Sequence, residues 1–302
     1  MEFPIVKRIN ECFIKPKLEQ YSNEPYFLTL WDLRLLSIHS NQKGLLFTKP
    51  SPKDNESFSF DNLLESLKDS LALTLVHFYP LAGQLTTRID EDQQKCVVFV
   101  DCNKGPGAQF LHATLDMTVS DILSPTYIPK VVHSLFDNDK CTEVNLDGRS
   151  RPLLSIQVTE LVDGVFIGCS MNHAIVDGTS FWHFWKVWSE IHNANSRPIS
   201  ISRPPLLIGK DSPILLSLNN NELEEFVVRY EPPPELMERM FHFTSQSMKR
   251  LKAKANKDSV NNGSGVIISS LQALVALVWR AIVRAYELVL YYKAIKHKLL
   301  IS

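Results

Sequence analysis

The chain has 302 residues, 44% of them hydrophobic and 22% charged, with a formal charge of −1. That is ordinary globular composition, long enough to bury one large core or two, and its near-zero charge offers no footprint for nucleic acid or an anionic membrane surface. Cys12, Cys96, Cys102, Cys141 and Cys169 form no CxxC pair, and no secretory h-region or apolar run of about 18 residues is found, so free thiols and a soluble cytoplasmic protein are expected.

The leucines of "DNLLESLKDSLALTLVHF" (61–78) follow helical spacing, with Asp61 as the expected N-cap. "YPLAG" (79–83) breaks that helix, and "QKCVVFVDC" (94–102) reads as a buried strand. "PLLSIQVTEL" and "VFIGCSM" flank Asp163-Gly164, which marks a hairpin turn. From Phe181 the period becomes helical: Phe181, Phe184, Trp185, Trp188 and Ile191 make one aromatic face, read as core, with Asp177 or Thr179 capping its start. Residues 196–240 concentrate prolines without periodicity and read as a crossover linker. "MFHFTSQSM" reads as a strand entering the basic helix 247–256, and residues 269–300 as one long apolar helix. The expected divisions are a mixed α/β lobe at 1–195, the linker at 196–240, and a short second unit at 241–302.

The chemistry concentrates in "MNHAIVDGTSFWHFW" (171–185). His173 falls where a strand ends and before a helix begins, a location that exposes side chains from a rigid base. An imidazole titrates near pH ~6.5 and accepts a proton at neutral pH without extreme tuning. Asp177, four residues on, meets His173 if the intervening "AIV" makes a helical turn, and lies roughly 13 Å away if it is extended. It either orients the ring or pins the turn. Gly178 would allow close backbone approach or a positive φ. For an isolated HxxxD spacing the plain alternative, a satisfied core histidine and a helix cap, outweighs catalysis. The GxG of Gly105 and Gly107 lacks the third glycine of a dinucleotide site, and neither GxSxG nor HExxH occurs.

The wider context changes that balance. "PLLSIQVTELVDGVFIGCSMNHAIVDGTSFWHFWKVWSEI" (152–191) resembles the HxxxDG signature region of the BAHD acyltransferases, the plant acyl-CoA-dependent family. The resemblance extends to "LTLWDLRLL" (28–36), "HFYPLAGQL" (77–85), "FHFTSQSMKRLKAKAN" (241–256) and "SSLQALVALVWRA" (269–281), and runs to about Arg284. It implies an α/β chloramphenicol-acetyltransferase-like two-lobe fold, the first lobe nearly complete and the second only begun. It implies that His173 is the general base, that Asp177 is structural, and that Gly178, in the loop, keeps the channel open near the histidine. The basic run Lys249, Arg250, Lys252, Lys254 and Lys257 would then either meet the CoA phosphates or form a solvated helix face, with Lys252, Lys254 and Ser269 the candidates for the acyl-CoA co-substrate. The expected partners are acyl-CoA and a small-molecule acceptor, with a monomeric enzyme, no resident cofactor and no metal. Gln84 stands where the family often carries arginine or lysine.

The family's late "DFGWG" block is absent, and "YELVLYYKAIKHKLLIS" has no recognised counterpart. The sequence therefore reads as a C-terminally truncated member with an atypical tail. Two functions follow: acyl transfer from acyl-CoA to a hydroxyl or amine of a plant metabolite, or an inactive fragment that only binds a ligand or partner.

Overall fold

The computed structural model describes residues 4–17, 24–50, 58–137, 143–194, 213–218, 223–229, 237–261, 263 and 266–299. The chain divides into two compact units, Met1–Glu238 and Arg239–Ser302. Most of the 196–240 segment read as a linker lies outside the described residues.

In the first unit, β1 (Lys7–Ile14), β2 (Tyr26–Phe27), α1 (Leu30–Arg34) and β3 (Asn41–Thr48) are followed by α2 (Phe60–His77), β4 (Gln84–Asp90), β5 (Lys95–Asp101) and β6 (Ala108–Thr114). Then come α3 (Val119–Leu123), β7 (Leu154–Glu160), β8 (Gly164–Met171), α4 (Gly178–Asn193) and β9 (Leu216–Ser217). Five strands form one sheet in the order β1-β6-β7-β8-β3; β2-β5-β4 form a second, with β9 also pairing β5. All pairs in the large sheet are antiparallel except β6–β7. That parallel pair requires a crossover, supplied by α3 and the turns before β7. The expected hairpin is β7–β8, paired from Leu154↔Met171 to Glu160↔Val165.

All eight residues of β8 are buried, as are the first six of β7. Such strands are covered on both faces, which is why they read as continuous apolar runs. One face packs against α2 and α4, joining Leu67, Leu71 and Leu75 to Ile156, Cys169, Phe181, Phe184 and Trp188. Phe181 and Phe184 are 0% exposed, so the aromatic stripe is core, as its spacing predicted. The Trp188 indole N–H donates to the buried Ser70 hydroxyl at 3.0 Å, so its polar atom is satisfied.

The structure moves several boundaries. Ser59, rather than Asp61, caps α2, its side chain accepting from the Asn62 N–H. Asp61 lies in the first turn, where its charge still favours the helix N-terminus. Gly105 and Gly107 adopt φ of 103° and 105°. A Cβ at Gly107 would sit 2.5 Å from the Ile14 carbonyl oxygen, so this GxG is a tight turn against β1.

In the second unit, α5 (Ser245–Asn261) and α6 (Ser270–Leu299) are the helices. Residues 240–244, expected to form a strand, have neither strand nor helix, and α5 begins at Ser245. The Thr244 hydroxyl accepts from the Ser247 N–H at 3.2 Å, so this residue starts a helix where a strand was expected. The Asn256 side chain bonds both the N–H and the C=O of Ile268, at 2.8 and 3.0 Å, fastening the lead-in of α6 to α5. No helix among the described residues is long and apolar enough to cross a membrane.

Candidate active site

β8 ends at Met171, and α4 begins at Gly178. Between them the Asn172 carbonyl accepts from the N–H groups of Ile175 and Val176 at 3.1 and 3.2 Å. The Asn172 side chain accepts from the Ala174 N–H at 3.1 Å, the local asparagine-to-backbone bond that favours turns. "AIV" is therefore a compact turn. Its residues Ala174 and Val176 are buried at 0% and 5% exposure, so the loop is seated in the core on one side.

His173 is half-buried on this turn. Its Nδ1 is sealed from solvent without a hydrogen-bond partner among the described residues. Nε2 is neither sealed in that way nor bonded to any described group. The ring thus turns Nδ1 inward, while Nε2 is not sealed and has no partner among the described residues. Its main-chain N–H donates to the Asn145 side-chain oxygen at 2.9 Å.

Asp177 makes no ion pair with His173 among the described residues. It is the N-cap of α4, in extended backbone, and accepts from the Ser180 N–H at 2.7 Å. That position excludes Thr179 as the cap. Bonds from Ser180, then from the Thr179 N–H, and last the charge of His173 hold its carboxyl below the usual carboxylate range. Gly178 is the first residue of α4. Its φ is not in the left-handed region, and a Cβ there would meet nothing within 4 Å, so no contact among the described residues requires a glycine here.

The neighbourhood is acidic. The Thr29 side chain caps α1, and Asp32 returns the bond by accepting from the Thr29 N–H and hydroxyl, each at 2.8 Å. Burial pushes the Asp32 carboxyl up against those bonds, and the nearby Asp177 charge adds to the rise. Tyr26 is pushed up to about 12, first by burial and then by Asp32 and Tyr79. On β3, Lys43 donates to Asn41 and its ammonium lies 4.1 Å from the centre of the Phe181 ring.

Cys169 is fully buried on β8, and burial raises its thiol well above the ordinary range. It is not poised as a nucleophile. Gln84 donates to the Arg149 carbonyl at 2.6 Å, tying β4 to the 3₁₀ turn Asn145–Arg149 with a neutral amide.

Lys252, Lys254 and Ser269 belong to the second unit. Both lysines are exposed on α5. Ser269 caps α6: its hydroxyl accepts from the Gln272 N–H at 3.2 Å while Gln272 accepts from the Ser269 N–H at 2.8 Å. The residues that sequence reasoning missed are Asn145 and Asn172. Asn172 stood beside the motif, where an asparagine opening a turn is a readable signal. Asn145 lies 28 residues upstream in no pattern.

A family model described as "Transferase family" matches residues 5–295, past Arg284, where the sequence resemblance was placed as ending. The chain is 33% identical over 293 residues to the BAHD acyltransferase DCR of Arabidopsis thaliana, an alignment covering 93% of this chain and 59% of that protein. In fold it resembles vinorine synthase, with a TM-score of 0.66 at 21% identity, covering 92% of this chain and 60% of that one. It also resembles TRI101 of F. graminearum complexed with ethyl coenzyme A, with a TM-score of 0.50 at 14% identity, covering 84% and 59%. The chain thus spans about 60% of the length of the first curated relatives it matches.

Proposed function

Since the chain belongs to the Transferase family of BAHD acyltransferases and has its α/β, chloramphenicol-acetyltransferase-like fold, we propose that it moves an acyl group from acyl-CoA to a hydroxyl or amine of a small plant metabolite, in the cytoplasm. The observation that carries this reading is the His173 ring, with Nδ1 sealed and Nε2 without a partner among the described residues, on a turn fixed at a strand end.

In this reaction Nε2 takes the proton of the acceptor O–H or N–H as that atom attacks the thioester carbonyl. The resulting tetrahedral oxyanion collapses, the C–S bond breaks, and the imidazolium returns the proton to the departing CoA sulfur. No acyl-enzyme forms, in keeping with the burial of Cys169. Asp177 holds the loop by capping α4 and does not accept the proton. Lys252 and Lys254 are suited to CoA phosphates by their charge and exposure. Ser269 already spends its hydroxyl on a helix cap, which leaves it the weaker candidate. CoA complexes of the TRI101 neighbour support acyl-CoA as co-substrate.

The test is a panel of acetyl-, hydroxycinnamoyl- and fatty acyl-CoA donors with phenolic, alcohol and amine acceptors, reading free CoA by mass spectrometry. Acceptor-dependent CoA release that is lost in His173→Ala is the expected result. A folded protein that releases no CoA from any donor supports a ligand- or partner-binding role instead.

A further inference from the structure

We infer that Asn145 is the positioning residue that sets the direction of the His173 imidazole; its catalytic meaning rests on the general-base reading above. Because Nδ1 has no partner among the described residues, nothing bonded to that nitrogen holds the ring. A catalytic imidazole is ordinarily oriented through its second nitrogen. Here the main chain from which the ring projects is held by Asn145.

Asn145 is 1% exposed, and all its polar groups are engaged. Its Oδ1 accepts from the His173 N–H at 2.9 Å. Its Nδ2 donates to the Leu35 carbonyl at 2.8 Å and the His39 carbonyl at 3.4 Å. Its own N–H donates to the Ile38 carbonyl at 2.8 Å, and its carbonyl accepts from Asn172 Nδ2 at 2.7 Å. Two distant segments, 35–39 and 172–173, are therefore tied to one residue, and the segment carrying His173 is gripped at two consecutive residues. The turn that presents Asn145 is braced from behind. Gln84 holds the Arg149 carbonyl, and Arg229 pairs with both oxygens of Asp147 at 2.8 and 3.2 Å. Burial pushes the Asp147 carboxyl up, but the Arg229 bonds, the Val144 N–H and the charges of Arg229 and Arg151 together hold it below its usual range.

Two substitutions separate positioning from mere bracing. Asn145→Ala removes the bonds to both His173 and the Leu35 segment. Asn145→Asp keeps an oxygen for the His173 N–H, while its second oxygen replaces the donor to Leu35 and His39 and faces their carbonyls, a cost to stability that unfolding midpoints read separately from kcat. In the unmodified protein the His173 amide should exchange hydrogen at least ~10-fold more slowly than in the unfolded chain. Protection should persist in Asn145→Asp and vanish in Asn145→Ala. With a donor found by the CoA-release panel, Asn145→Ala should lower kcat by about 10²-fold, the cost of a misplaced catalytic group, with KM for acyl-CoA within about twofold. Asn145→Asp should recover most of that kcat.

Equal losses of kcat in the two variants would overturn the inference, leaving Asn145 a brace. If neither variant folds, the unmodified protein decides: a His173 amide exchanging at the unfolded-chain rate overturns it, and a protected one supports it. If the unmodified protein has no turnover while the exchange pattern is as expected, the transfer reading falls and the placement of His173 by Asn145 stands.

Discussion

α4 and the loop that precedes it are continuous in sequence and held by different physics. The helix is fixed by shape: Phe181, Phe184, Trp185 and Trp188 fill the space between β8 and α2, and the Phe184 ring lies 5.3 Å edge-on from Phe78. The loop at 172–177 is fixed by hydrogen bonds from two asparagines and an aspartate cap. Packing tolerates small shifts of a centroid, whereas a hydrogen bond of 2.7 to 2.9 Å between amide groups fixes a direction. A helix that must be stable and a base that must point one way are served by these two means.

The comparison breaks most visibly at the two histidine and phenylalanine positions. His173→Ala should lower turnover by about 10²–10⁴-fold while the denaturant midpoint stays within experimental error, because the side chain makes no described hydrogen bond. Phe184→Ala should do the reverse, destabilising the protein by about 3–5 kcal/mol through the cavity it leaves. Urea unfolding alongside CoA release separates the two. A His173→Ala protein as unstable as Phe184→Ala would mean the ring is core after all. A Phe184→Ala protein of normal midpoint would mean the helix is held by something other than its aromatic face.

A smaller effect sharpens the same contrast on β8. Cys169, fully buried with its thiol raised by burial, should resist alkylation by iodoacetamide in the folded protein at pH 8. Of the four described cysteines, the half-buried Cys12 should label first, although burial raises its thiol too. Peptide mass spectrometry gives the order, and early labelling of Cys169 would show that β8 opens beside the site.

What was legible in the sequence follows from the same division. Periodicity reports packing, so the α2 leucines, the α4 aromatics and the β7–β8 hairpin were all readable from spacing. The motif placed His173 at a strand end, because strand and helix periods change on either side of it. Hydrogen bonds between distant segments leave no period. The link from Asn145 to His173 spans 28 residues and that from Asn145 to Leu35 spans 110, and neither could be read before the chain was folded. The α2 cap was missed by two residues because Ser59 and Asp61 are both good N-cap residues, and only backbone geometry chooses between them. The expected strand before α5 was missed for a related reason: "FHF" is apolar enough for a strand, but the threonine that follows it commits its hydroxyl to starting a helix.

The smallest expected effect concerns the charge on Asp177, and its sign can be worked out. Its folded pKa lies below the unfolded carboxylate value of about 3.9, chiefly because of the Ser180 bonds. The ionised cap therefore adds stability that is fully present above that unfolded value and is lost as pH falls through the lower folded one. Asp177→Ala should cost about 0.5–2 kcal/mol near neutral pH, the usual worth of an N-cap. Asp177→Asn keeps an oxygen for the Ser180 N–H and loses only the charge at the helix N-terminus, so its cost should be about 0.3–1 kcal/mol, reduced by salt. Unfolding midpoints from pH 6 down to pH 3 should show the wild-type advantage over Asp177→Asn shrinking as acid is added, with CoA release retained in the variant. An advantage that grows toward low pH would contradict the cap. A stable but wholly inactive Asp177→Asn protein would place the aspartate in the proton-transfer chemistry, and the loop would then be more than a holder for one histidine.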